Sequence, residues 1–201
     1  MTTPSKLTLT YFDMAGRAEP VRMMLKYAGV AFDDVRITRP EFATKKSQLQ
    51  LPFKQLPTLQ VDGVVFAQSL AISRYVARLT GLYPEHSPLA ALEADLAVDA
   101  LTEAAFAMIR AVVQERDEDR KKQLLIDANE TILPRLLGGL EERAVGPYYL
   151  GNSISYPDFY VLDFYRQIWT GFGPLIKLSV DDYPKLKSIA TLLGASPSLQ
   201  N

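Results

Sequence analysis

The run from Leu56 to Gly81, LPTLQVDGVVFAQSLAISRYVARLTG, decides the architecture of the first part of the chain. Two β-rich stretches flank Asp62-Gly63, a pair suited to a two-residue hairpin turn at positive φ. The stretch AQSLAISRYVARLTG then reads as a helix that closes at Gly81. Upstream, Leu7 to Phe12 alternates apolar with polar or hydroxyl residues and predicts a strand. GRAEPVRMMLKYAG predicts a helix ending at Gly29, with Pro20 in the first turn, where its missing N–H costs little. FDDVRI is a second short strand, and EFATKKSQLQ, residues 41–50, a weaker helix. The order βαβ, α, ββ, α describes one small α/β layer structure.

Downstream the pattern changes. LYPEHSP holds two prolines in seven residues and reads as a linker. Beyond it no strand is predicted. Apolar residues recur at Leu89, Leu92, Leu96, Leu101, Ile109 and Val112 with a broken helical period. ERDEDRKK is a charge run, read as a solvated helix end or an interhelical turn. QLLIDANETILPRLLGGLEERA continues as helix, and GPYYLGNSISYPDFYVLDFYRQIW holds a turn and a further helix. Within it, Ser155 precedes Asp158 by three residues and Pro157 lies in the first turn, a capping-box variant with Ile154 and Phe159 as its hydrophobic staple. Expected domains are therefore residues 1–82, a linker at 83–87 and a helical domain at 88–201.

Composition limits the chemistry. The chain of 201 residues is 48% hydrophobic, with 22 basic and 23 acidic residues, so no charge bias draws it to nucleic acid or an anionic membrane. Its apolar runs are too short to span a bilayer, and MTTPSK lacks the apolar core of a secretory signal; a cytosolic protein is expected. It has no cysteine, which removes disulfides, thiolate nucleophiles and thiolate metal sites. A single histidine, His86, leaves no basis for a histidine zinc site or a Ser-His-Asp triad. The Asn129-Glu130-Thr131 sequon carries no meaning in a cytosolic helix, and Gly171 to Gly173 is too short for a nucleotide loop. Read without further context, Tyr11 is a strand-end aromatic and Arg17 a surface charge.

Four segments, LTYFDMAGRAEPVR, LPFKQLPTLQVDG, QSLAISRYVAR and YLGNSISYPDFY, in this order and spacing, resemble the cytosolic glutathione S-transferases, with the sigma class nearest and mu and pi as neighbours. The resemblance covers almost the whole chain. It implies an N-terminal thioredoxin-like α/β domain, an all-α C-terminal domain, a homodimer and glutathione as co-substrate. It also implies that the Tyr11 hydroxyl donates to the glutathione sulfur and stabilises its thiolate, with Arg17 orienting Tyr11 or adding positive potential. Leu56, beside a Pro57 that is cis in the family, would pair with the cysteinyl part. Gln68 and Ser69, opening a helix, would take the γ-glutamyl carboxylate on a hydroxyl and free N–H groups. Lys46, with Lys54 nearby, would hold the glycyl carboxylate. Glu103 would reach the α-amino group of glutathione in the partner subunit.

Departures from the sigma pattern are equally legible. Phe42 stands where many relatives carry tryptophan and so lacks an indole donor. Gln55 replaces a lysine, and weaker glutathione binding is expected. The chain stops at SPSLQN, earlier than is usual, so a more open electrophile pocket is expected. That pocket is assigned to Met14, Ala15, Met108, Ile109 and Val112, although Ile109 and Val112 are read equally well as plain helix core. Asp95, Asp99 and Glu103 line one face at i, i+4, i+8, read from spacing as a solvated stripe or a weak cation site. The resemblance turns this face toward a dimer interface, with Asp95 and Asp99 opposite Arg74 and Arg78 of the partner. Phe53 is assigned as a wedge into the same partner. Thr102 replaces one acid of a known cation cluster, so no metal is expected. Arg110 and Ala15 replace a tryptophan and an arginine characteristic of prostaglandin D synthase, which disfavours prostaglandin isomerisation. Against transfer stand a non-catalytic, crystallin-like binder and a glutathione-dependent isomerase or peroxidase.

Overall fold

A computed structural model describes residues 4–49 and 51–200. The chain divides into two compact units, one up to Tyr83 and one from Pro84 to Gln200. In the first, strands β1 (Leu7–Phe12), β2 (Asp33–Ile37), β3 (Thr58–Val61) and β4 (Val64–Ala67) form a sheet in the order β2-β1-β3-β4. β1 runs parallel to β2, with Tyr11 opposite Arg36, and antiparallel to β3, with Leu9 opposite Leu59. The parallel pair needs a crossover, which helix α1 (Glu19–Tyr27) supplies. The β3–β4 pair closes through Asp62 and Gly63 at φ 47° and 90°, the double left-handed turn that the Asp-Gly pair favours. The Asp62 carboxylate accepts from the backbone N–H groups of Ser5 and Lys6, both at 2.9 Å, and so fastens the turn to the start of β1. These bonds hold its carboxyl below the usual range, the side-chain bond from Ser5 contributing most.

Helices α1 and α3 (Ser69–Leu79) pack together and bury Val21, Met24 and Leu25 with Ile72, Val76 and Ala77. Full burial of each large aliphatic side chain is worth about 1.5–3 kcal/mol. Two boundaries differ from expectation. Residues Gly16–Ala18 form a short 3-10 turn, so α1 starts only at Glu19. Helix α2 runs over Arg39–Lys45, not over 41–50, and Gln50 lies outside the described residues. The cause is a capping box upstream: Thr38 Oγ accepts from Glu41 N–H at 3.3 Å, and the Glu41 carboxylate accepts from Thr38 N–H at 2.9 Å.

The second unit is helical, with no strand among its described residues. Its helices are α4 (Pro88–Ile109), α5 (Glu118–Asp127), α6 (Leu133–Arg143), α7 (Tyr156–Asp163) and α8 (Pro184–Gly194). Three of them, α4, α5 and α7, run on into wider π-helical turns at Arg110–Gln114, Ala128–Ile132 and Phe164–Thr170. The charge run resolves into a turn and the first turns of α5, capped where Asp117 accepts from Arg120 N–H at 2.9 Å.

Helix α7 lies against α4 and α8 and is buried along almost its whole length. Its start is fixed by the expected capping box. Asp158, fully buried, accepts from Tyr149 N–H and Ser155 N–H, each at 2.7 Å, and from Ser155 Oγ at 3.0 Å. Burial pushes this carboxyl up to about 6 while the three donors pull it down. At neutral pH it is therefore the anion that those donors require. Asn129 of the sequon is also buried. Its amide donates to the carbonyls of Leu125 and Leu175 and its oxygen accepts from Lys177 N–H at 2.7 Å.

The acidic stripe of α4 does not form as one stripe. Asp95 accepts from the Tyr156 hydroxyl of α7, whereas Glu103 pairs with Arg135 of α6 at 2.7 Å. Residues spaced four apart drift around a 3.6-residue helix, and neighbouring helices take the two ends of the series.

Candidate active site

Tyr11 is the last but one residue of β1, on the side of the strand that also buries Leu7 and Leu9. The chain then turns back through Asp13–Ala15 into the 3-10 turn, and this brings the backbone to the phenol. The Tyr11 hydroxyl accepts from Arg17 N–H at 3.3 Å. Gly16 makes that approach possible. It adopts φ 49°, and a Cβ there would lie 2.8 Å from the Tyr11 hydroxyl oxygen. Gly16→Ala combines a left-handed backbone penalty of about 1–2 kcal/mol with displacement of the phenol. We expect a lower melting temperature and, once the hydroxyl is displaced, a loss of about tenfold or more in kcat/KM. Wild-type turnover in Gly16→Ala would show that the phenol position is immaterial.

Arg17, Phe53, Gln55, Leu56, Pro57, Ala67, Gln68 and Ser69 line one small polar cleft. The Leu56-Pro57 peptide bond is cis. Gln68 precedes α3 with φ 75° and ψ 106°, a conformation costing a non-glycine residue about 1–3 kcal/mol. It turns the chain so that Ser69 and the first N–H groups of α3 open the helix at the cleft, a natural place for a carboxylate. The structure thus gathers Arg17, Gln55, Leu56, Pro57, Gln68 and Ser69 in one place, with Tyr11 hydrogen-bonded to the backbone of Arg17.

Phe42 and Lys46 belong to another cluster of the same unit. The Phe42 ring meets Phe12 edge-on at 5.2 Å, Lys46 Nζ lies 5.5 Å from the Phe42 centroid, and the Arg39 guanidinium lies 5.5 Å from that of Phe12. Two cations over two rings make this edge of the unit favourable to an anion. Lys54 is exposed at φ 56°. Met14, which is 44% exposed, and Ala15 belong to the loop after β1.

Met108, Ile109, Val112 and Glu103 belong to the second unit. Met108 is fully buried and Ile109 half-buried, while Val112 lies in the π turn after α4. Among the described residues, no three histidine or carboxylate side chains gather as metal ligands. Sequence reasoning passed over Arg22. It occupies the buried stripe of α1 with Ala18, Val21 and Leu25, and an arginine at i+4 of an apolar i, i+3, i+7 series was the available signal.

A strand-end tyrosine, a polar cleft at the start of α3 and a mixed four-stranded sheet followed by a helical unit define one class of protein. Residues 7–78 match the family model described as Glutathione S-transferase, N-terminal domain, and residues 104–201 match Glutathione S-transferase, C-terminal domain. The chain belongs to the glutathione S-transferase family, whose members use glutathione as substrate. It is 35% identical over 192 residues to hematopoietic prostaglandin D synthase of Gallus gallus, covering 95% of this chain and 92% of the relative. It is 30% identical to Glutathione S-transferase S1 of Drosophila melanogaster, covering 94% of this chain and 74% of the relative. The solved structure of prostaglandin synthase D of Nilaparvata lugens superposes with a TM-score of 0.84 at 28% identity, covering 97% and 95% of the two chains.

Proposed function

We propose that this protein is a sigma-class-like glutathione transferase in which Tyr11 stabilises the glutathione thiolate for attack on electrophilic small molecules. The observation that carries the reading is the hydrogen bond from Arg17 N–H to the Tyr11 oxygen. An oxygen that accepts there keeps its own proton for donation elsewhere, and the donor belongs to a residue lining the polar cleft. A thiol is mostly protonated at neutral pH and attacks only as the thiolate. A phenol proton directed at the sulfur lowers that barrier.

The remaining assignments follow from the same reading. The first unit holds glutathione through Leu56 with Pro57, Gln68 and Ser69, and through Lys46 with Lys54 at the glycyl end. Phe42 and Gln55 weaken that grip. For the electrophile, the first unit offers Met14 and Ala15, and the second unit offers Met108, Ile109 and Val112. The protein works in the cytosol as a homodimer. In the second unit Leu89 and Leu92 on α4 are 76% and 63% exposed, apolar surface that a second copy would cover; in the first unit Val64 and Phe66 on β4 are exposed as well. Glu103 then reaches the partner's glutathione ammonium. Its pair with Arg135 is exposed and worth at most about 1 kcal/mol, so it exchanges readily.

The names of the prostaglandin D synthase relatives favour a second reading, an isomerase that uses the same thiolate. Ala15 and Arg110 stand where the resemblance expects the arginine and tryptophan of that activity, and we therefore favour transfer. The purified protein should consume chlorodinitrobenzene in a glutathione-dependent reaction. Failure to turn over that substrate, with glutathione still bound, would leave a binder. Isomerisation of a prostaglandin endoperoxide without conjugation would establish the second reading.

A further inference from the structure

Among the described residues Arg22 is the largest fully buried side chain, and it is charged. Its Nε donates to both oxygens of Asp34 on β2, at 3.0 and 3.1 Å. Its Nη1 donates to the carbonyls of Met14 and Ala15, at 2.9 and 3.2 Å, and to Glu19 at 3.2 Å. Its Nη2 is buried and finds no acceptor among the described residues. The guanidinium carbon lies 5.8 Å from the centroid of the Tyr11 ring.

A buried arginine could simply be a neutralised core cation. The two carbonyls argue for more. Met14 and Ala15 immediately precede Gly16 and Arg17, the residues whose backbone touches the Tyr11 hydroxyl. One rigid fork therefore fixes the loop that sets the phenol oxygen. Asp34 anchors the fork from the other side and is itself held by Arg36 Nε at 3.0 Å. Arg36 in turn reaches Asp13, at the start of the same loop, at 3.4 Å. Both ends of the turn are thus tied to β2 through Asp34. The carboxylates of Asp34 and Glu19 offset the charge of Arg22, so its action on Tyr11 is mechanical more than electrostatic.

We propose that Arg22 is a positioning residue for thiolate formation: it acts through the Met14 and Ala15 carbonyls to hold Arg17 N–H against the Tyr11 hydroxyl. This inference rests on the assignment of Tyr11 made above. A lysine is buried with similar charge but has no planar fork, so it cannot hold Asp34 and both carbonyls together.

The test is a double-mutant cycle of Arg22→Lys with Tyr11→Phe, read by turnover and by ultraviolet titration of the enzyme-bound glutathione thiol. Arg22→Lys is expected to raise the thiol pKa and lower kcat about tenfold, the scale on which misplaced groups act, with a smaller change in glutathione affinity. In the Tyr11→Phe background the same substitution should change turnover less than about twofold, because the group it positions is gone. Equal slowing in both backgrounds, or an unmoved thiol titration, overturns the role of Arg22 and leaves that of Tyr11 intact. Full turnover in Tyr11→Phe alone overturns the Tyr11 assignment and this inference with it. If Arg22→Lys does not fold, Asp34→Asn replaces it in the cycle, with the same direction expected and the same outcomes deciding.

Discussion

On the role proposed for Tyr11, Tyr11→Phe is expected to lower kcat/KM for glutathione conjugation by about 10–100-fold at neutral pH, because a charge-assisted hydrogen bond of about 1.5–3 kcal/mol would be lost and each 1.4 kcal/mol is tenfold. The substitution removes one oxygen and leaves the ring, so the contact with Phe12, at 5.4 Å and 63°, survives. Folding should therefore be little affected, although Arg17 N–H loses its acceptor. The deficit has a pH signature. A free thiol ionises near about 8.5, so as the pH rises through that value the sulfur becomes anionic without help. The gap between wild type and Tyr11→Phe is widest at pH 6–7 and closes above about 9. A gap that stays constant across this range would show that Tyr11 acts on something other than thiol ionisation.

The second large effect is on stability. Asp158→Ala removes the acceptor for two backbone N–H groups and one hydroxyl in a buried site. A lost cap costs about 0.5–2 kcal/mol and each orphaned buried donor about 1–3 kcal/mol, with overlap between them. We expect a loss of about 3–5 kcal/mol, since these terms do not add in full within one network. Trp169 is the single tryptophan of the chain and lies in the same helical unit, its indole N–H donating to the Leu178 carbonyl at 3.2 Å. Its fluorescence in a urea titration reports the unfolding of that unit directly. Ser155→Ala removes only one of the three donors and should cost clearly less. Equal losses in the two variants would mean that the carboxylate does not organise the turn.

Much of the architecture was legible because local chemistry and tertiary structure agree. Asp62-Gly63 needs positive φ at both residues and makes the hairpin. Ser155 to Asp158 carries both halves of a capping box and starts α7. Disagreement arose where a second signal competed. Reading EFATKKSQLQ as the helix leaves out the Thr38–Glu41 cap, which lies upstream and starts α2 earlier. On α4 the large residues Leu89, Leu92 and Leu96 are exposed, while Ala94, Ala97, Val98, Leu101 and Ala104 face the core. Small side chains leave a faint hydrophobic period even where they are fully buried, so the period looked broken. Arg17, Leu56, Gln68 and Ser69, which the sequence offers only through the family resemblance, line one cleft. The burial of Arg22 has a signal in the apolar stripe of α1, but its partners do not, because two of them are carbonyls and a carbonyl has no identity in a sequence. The pairing of Glu103 with Arg135 was hidden for another reason: 32 residues separate them.

The widened turns at Arg110–Gln114, Ala128–Ile132 and Phe164–Thr170 have a consequence for how this helical unit varies in length. A π turn is an α-helix that has absorbed one surplus residue, with N–H groups bonding five residues back, as Glu115 does to Arg110 at 2.9 Å. Removing one residue there restores the ordinary winding without cutting the helix. A single-residue deletion is thus tolerated inside these rods as well as in the loops between them, and it leaves the later side chains on the helix faces they already occupy.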